Sequence, residues 1–211
     1  MLFDLSLYLV AGRPACRSGD LLSTVEAAIR GGVTIVQLRD PAADGRALVE
    51  DARALLAVLR PRGIPLIIND RIDVAIAAAA DGVHLGQDDI RAFEAREIGG
   101  PDMILGLSVG SPAEFAASRE DLDAVDYLGV GPYRVTSTKA NAGAAIGAEG
   151  IAAVRALTSL PIVGIGGIEA EHAAPVIRTG VQGVAVVSAI CGASDPEAAA
   201  RVLAAEIASA R

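Results

Sequence analysis

Eight short runs rich in Val, Ile and Leu recur along the chain, and most are followed by a longer stretch with helical periodicity. The strand candidates are residues 7–11, 34–39, 65–69, 82–85, 103–109, 127–130, 162–165 and 184–187. Helical patterns cover residues 20–30, 45–59, 71–80, 89–98, 111–119, 147–157, 169–178 and 196–210. Strands alternating with helices, apolar on both faces, require a parallel sheet covered by helices. An open doubly wound sheet usually carries GxGxxG after its first strand. Here that position reads Gly12-Arg13-Pro14-Ala15, so the expected fold is a (β/α)8 TIM barrel. No linker or low-complexity stretch interrupts the pattern, and residues 1–211 are expected to form one domain.

Composition narrows the function classes. Apolar residues make up 52% of the chain but aromatics only 3%, so Val, Ile, Leu and Ala must build the core. A net charge of −8 argues against a nucleic-acid or anionic-membrane partner. It leaves room for an anionic small molecule in a locally positive pocket. The apolar start of the chain contains Asp4 and lacks a basic segment, so it reads as a strand and not as a signal peptide. Cys16 and Cys191 make no disulfide framework, and a reduced cytoplasm is the expected location. The composition is compatible with a homo-oligomer and does not specify one.

In such a barrel the chemistry sits at the C-terminal ends of the strands. The second strand ends Val36-Gln37-Leu38-Arg39-Asp40, and alternation puts Gln37 and Arg39 on one face. Arg39 can hold a phosphate there, the alternative being a surface pair with Asp40. The third strand ends Asn69-Asp70-Arg71, and the fourth is followed by Gln87-Asp88-Asp89. Carboxylates from neighbouring strand ends, Asp70 and Asp89, make a hard-oxygen site suited to Mg²⁺, the alternative being helix caps. His84 lies in an apolar strand and reads as a core imidazole, and His172 as a surface residue of a helix. Ser108, near the end of the fifth run, offers a hydroxyl.

The chain has a single lysine, Lys139, in the loop Val135-Thr136-Ser137-Thr138-Lys139. A compact ammonium with two threonine hydroxyls nearby is a candidate phosphate clamp. Glycines at Gly166 and Gly167 and the turn Val187-Ser188 follow strands seven and eight, the recurrent phosphate site of this fold. The residues thus describe two anion sites, one with metal and cations, the other built of backbone amides. Two phosphorylated substrates, one a diphosphate, would need both.

The motifs LYLV (7–10), VQLRD (36–40), IINDR (67–71), ADGVHLGQDD (80–89), GLSV (106–109), DYLGVGP (126–132), TSTK (136–139), IVGIGGI (162–168) and GVAVVSAI (183–190) resemble, in order, those of the thiamine-phosphate synthase family. The resemblance implies that a hydroxymethylpyrimidine diphosphate loses pyrophosphate and a thiazole phosphate nitrogen attacks the resulting carbon. It implies that Gln37 touches the pyrimidine and that Arg39, Asn69 and Lys139 hold the diphosphate. Asp70 and Asp89 would ligate Mg²⁺, and Ser108 would lie beside the pyrimidine and diphosphate. Thr136, Thr138, Gly167, Val187 and Ser188 would hold the thiazole phosphate. The chain departs from the family pattern at Pro41, where a lysine is usual, and at Ala11-Gly12, Val135 and Asn141. Arg134 is a candidate substitute for the missing cation. The rival readings are a thiazole tautomerase-like homologue, disfavoured by Gly110 at the position of its histidine, a Schiff-base aldolase using Lys139, and a non-catalytic phosphate-ligand-binding barrel.

Overall fold

A computed structural model of the protein describes residues 3–135 and 143–211. Eight parallel strands close into a barrel in chain order: β1 (Leu7–Ala11), β2 (Ile35–Leu38), β3 (Leu66–Asn69), β4 (Gly82–Leu85), β5 (Ile104–Val109), β6 (Tyr127–Val130), β7 (Ile162–Ile165) and β8 (Gly183–Val186). β8 pairs with β1 through Leu7 and Val184, which closes the ring. Around it stand α1 (Leu21–Arg30), α2 (Gly45–Leu59), α3 (Ile72–Ala78), α4 (Ala92–Gly99), α5 (Pro112–Ala117), α6 (Gly147–Arg155) and α7 (Ala170–Ile177). The short α8 (Ser188–Cys191) precedes the last helix, α9 (Pro196–Ser209). The TIM barrel expected from the alternating pattern is the fold observed. Among the described residues no helix is long and apolar enough to cross a membrane.

Strand alternation divides the core in two. Outward residues such as Leu9, Val36, Ile68 and Leu128 pack against the helices. Inward residues Tyr8, Val10, Ile35, Ile67, Tyr127, Val163 and Ala185 fill the barrel. The second set is apolar near the strand starts and turns polar or small toward the strand ends, where Gln37, Asn69, His84 and Ser108 lie. That gradient places the opening at one end.

The lower rim is fastened by a repeated device. The residue before each even strand donates its backbone N–H to the preceding odd strand and accepts an N–H with its side chain. Thr34 Oγ1 accepts from Leu7 at 3.1 Å, Asp81 Oδ2 from Leu66 at 2.8 Å, Asp126 Oδ2 from Leu105 at 2.8 Å and Gln182 Oε1 from Ile162 at 2.7 Å. The reciprocal backbone bonds run from Thr34, Asp81, Asp126 and Gln182 to the same four residues. The first amides of β1, β3 and β7 and the second of β5 therefore do not go unpaired.

Candidate active site

The strand ends surround a cavity of about 570 Å³. Its wall includes Gln37, Arg39, Asn69, Ser108, Gly167, Val187 and Ser188. Seven of the residues singled out from the sequence therefore share one cavity. Gln37 and Arg39 are two apart along β2 and its exit, which turns both inward. Among the described residues Arg39 makes no ion pair with Asp40, so the surface-pair alternative falls away. Thr136, Thr138 and Lys139 lie outside the described residues.

Asp70 and Asp89 stand beside the cavity and in contact with each other. Asp70 adopts a left-handed backbone, φ 62°, and donates its N–H to the His84 carbonyl at 2.9 Å. A non-glycine residue in that region is uncommon and recurs at functional sites. Asp70 is open at the rim, but the protein packed around its carboxyl, then the charge and hydrogen bond of Asp89, push its pKa up to about 6. Arg39 and Asn69 pull the other way. Asp89 also accepts the Gly86 N–H at 2.6 Å. Neither aspartate caps a helix, since α3 begins after Arg71 and α4 after Arg91. Asp88 faces the main cavity, whereas Asp89 borders a smaller recess of about 190 Å³. Among the described residues no group of three or more His, Cys, Asp and Glu side chains forms a metal cage.

Opposite, the turn after β7 carries Gly166 and Gly167 at φ 96° and 66°. A Cβ on Gly167 would also lie 3.0 Å from the Arg134 Cβ and 3.2 Å from the Val135 carbonyl. The segment leaving β6 sits on this turn: Tyr133 donates to Ile165 at 2.8 Å and Arg134 to Gly166 at 2.9 Å. Glycine is required here on both counts. β8 ends one residue earlier than its apolar run indicates, and Val187 and Ser188 form the entry to α8.

One expectation about histidine needs correction. His172 is half-buried and not freely exposed, with 13% of its side chain open to solvent. It receives the Glu169 N–H at 3.0 Å and lies 2.6 Å from the Arg134 guanidinium. Arg134 is thereby directed to α7. His84 is buried, as its apolar strand indicated, yet it also lines the cavity. Its Nδ1 lies 3.0 Å from the Tyr127 hydroxyl and its Nε2 2.9 Å from Ser108 Oγ. Tyr127 Oη is 2.7 Å from Tyr8 Oη, which receives Gln37 Nε2–H at 2.9 Å. Tyr8 is a further cavity residue. Reading β1 and β6 as apolar runs hid both tyrosines, and only the barrel register brings their hydroxyls together. Space for His84 and Tyr127 comes from Gly106, where a Cβ would collide with both.

Comparison with known proteins gives a consistent result. The chain matches the thiamine monophosphate synthase family over residues 7–190. It is 66% identical to a thiamine-phosphate synthase of Xanthobacter autotrophicus over 209 residues, 99% of this chain and 98% of that protein. The thiamine-phosphate synthase of Azorhizobium caulinodans is 60% identical over 201 residues, 95% of this chain and 94% of that protein. Among solved structures, a thiamine phosphate pyrophosphorylase from Pyrococcus furiosus superposes with a TM-score of 0.88 at 33% identity, covering 99% of this chain and 98% of that one.

Proposed function

The chain belongs to the thiamine monophosphate synthase family, an enzyme of the transferase class, and from that membership we propose how its cavity joins two substrates. The substrates are 4-amino-2-methyl-5-hydroxymethylpyrimidine diphosphate and 4-methyl-5-(2-hydroxyethyl)thiazole phosphate. The products are thiamine phosphate and pyrophosphate.

One observation carries the reading. Two aspartates touch despite like charge, and Arg39 and Asn69 flank them. Such a pair fits a hard divalent cation that takes its remaining ligands from phosphate and water. Asp70 and Asp89 would hold Mg²⁺, which when bound supplies positive charge against the departing pyrophosphate. Arg39 and Asn69 orient the diphosphate, Arg39 through a planar fork that matches paired phosphate oxygens. Lys139 adds a point charge at the leaving group. Gln37 holds the pyrimidine, and Ser108 lies beside both pyrimidine and diphosphate, with its hydroxyl free for a diphosphate oxygen. Gly167, Val187 and Ser188 line the opposite wall and bind the thiazole phosphate, which aims the thiazole nitrogen at the pyrimidine methylene; Thr136 and Thr138 would add hydroxyl donors to the same phosphate. The carbon–oxygen bond to the diphosphate breaks ahead of carbon–nitrogen bond formation. That nitrogen carries no proton, so no general base is required.

Purified protein should form thiamine phosphate and pyrophosphate from the two substrates with Mg²⁺ and lose turnover in EDTA. Turnover unaffected by EDTA would overturn the metal assignment. Binding of thiazole phosphate with no turnover at all would replace the enzyme by a binding barrel.

A further inference from the structure

The line of side chains from Gln37 through Tyr8, Tyr127 and His84 to Ser108 crosses the barrel beneath the cavity and touches it at both ends. Tyr127 in its middle is fully buried and does not line the cavity. Each of the four contacts needs one hydrogen and one lone pair. With the Gln37 amide nitrogen turned inward, the Tyr8 oxygen accepts, and the hydrogen of Tyr8 goes to Tyr127. Tyr127 then donates to His84 Nδ1. A neutral imidazole whose Nδ1 accepts carries its hydrogen on Nε2, and that N–H goes to Ser108. The Ser108 oxygen is now an acceptor within the line, which leaves its own O–H for the cavity.

Turning the Gln37 amide over reverses every bond. Tyr8 then donates to Gln37, Tyr127 to Tyr8, and His84 through Nδ1–H to Tyr127. His84 Nε2 in turn takes the Ser108 hydrogen. The cavity would meet an amide nitrogen at one end and no free hydroxyl donor at the other. The two ends are therefore coupled through three residues. Burial raises the pKa of both tyrosines, so both stay hydroxyls and can transmit a direction. Gly106 and Gly129 are the space in which the His84–Tyr127 pair fits: a Cβ on Gly129 would lie 3.0 Å from His84 Cε1.

We propose that Tyr8, Tyr127 and His84 form a one-directional hydrogen-bond relay that presents the Gln37 amide oxygen and the Ser108 hydroxyl hydrogen to the cavity, with Tyr127 a positioning residue that touches no substrate. The choice of direction rests on the function proposed above. An aminopyrimidine brings an N–H donor that needs the Gln37 oxygen, and a diphosphate oxygen can only accept, which needs the Ser108 O–H. A relay fixes both before substrate arrives.

The test is long-range ¹H–¹⁵N correlation on ¹⁵N-histidine protein without ligand. The chain has two histidines, and His84→Gln assigns the spectrum. His84 should appear as the neutral Nε2–H tautomer, and Tyr127→Phe should convert it to a tautomer mixture. The same variant should lower kcat roughly tenfold, the rate equivalent of one hydrogen bond, with KM for the thiazole phosphate unchanged. If Tyr127→Phe does not fold, Tyr8→Phe interrupts the same line and is read by the His84 tautomer alone, since Tyr8 lines the cavity. A wild-type His84 found as the Nδ1–H tautomer or as imidazolium would overturn the relay. So would a variant whose tautomer does not move or, where the wild type turns over, one whose kcat does not move. The tautomer reading needs no turnover, so an inactive protein with His84 as Nε2–H would refute the proposed reaction and leave the relay standing.

Discussion

Asp89 shows how one charge can serve a ligand at a cost to the empty fold. Its carboxylate helps to lift the Asp70 pKa to about 6, from an ordinary value near 4. A carboxyl whose folded pKa is raised binds its proton more tightly in the folded state, so stability is greatest below the unfolded pKa. It declines as pH rises through 6. In EDTA, wild-type protein should therefore lose Tm between about pH 4 and 7 through this pair. Asp89→Asn removes the repulsion and should raise the metal-free Tm at pH 7.5, with the difference shrinking toward pH 4. The same variant should lose Mg²⁺-dependent turnover. Thermal melts across pH with and without EDTA check both. A Tm at pH 7.5 no higher than wild type would show that the two carboxylates do not repel in solution.

At the scale of elements, the strands were legible because a helix-covered parallel sheet demands apolar runs, and the runs at 82–85, 127–130 and 162–165 match β4, β6 and β7 residue for residue. Helix ends were less legible. The Ala77–Ala80 run offers no stop signal, yet α3 ends at Ala78 because Ala79 turns left-handed at φ 55°. α4 starts at Ala92, three residues later than its pattern indicates, because Arg91 is an extended N-cap whose N–H is accepted by Glu94 at 3.1 Å. For the site, charged strand ends such as Arg39 and Asp70 stood out in the sequence. Tyr8 and Tyr127 did not, because a hydroxyl inside an apolar run gains meaning only from its cross-barrel partner. The turn after β7 gives a further prediction. Gly167→Val puts a β-branched residue at φ 66° and against the Arg134–Val135 segment. Affinity for thiazole phosphate should fall at least tenfold and affinity for the diphosphate substrate less, as titration calorimetry would measure. Equal losses for both would mean that the turn shapes the whole cavity.

Across the whole molecule the two ends of the barrel carry different tasks. The upper end carries the cavity, and the lower end carries the four fastenings at Thr34, Asp81, Asp126 and Gln182. Leu66, Leu105 and Ile162, which depend on three of them, are completely buried. Leaving such an N–H unpaired costs about 1–3 kcal/mol. Asp81→Ala and Gln182→Ala should each lower Tm by several degrees while kcat stays near wild type. The fastenings share no partner, so the double variant should show the sum of the two free-energy losses, within about 0.5 kcal/mol. Urea denaturation of the three variants checks it, and a clear departure from the sum would show that the strand pairs open together. What the rim demands at these four places is an acceptor of suitable reach. Thr, Asp, Asp and Gln already satisfy it in one molecule. The lower rim is thus written in a degenerate code: four synonyms for one instruction, a repeat that residue identity conceals.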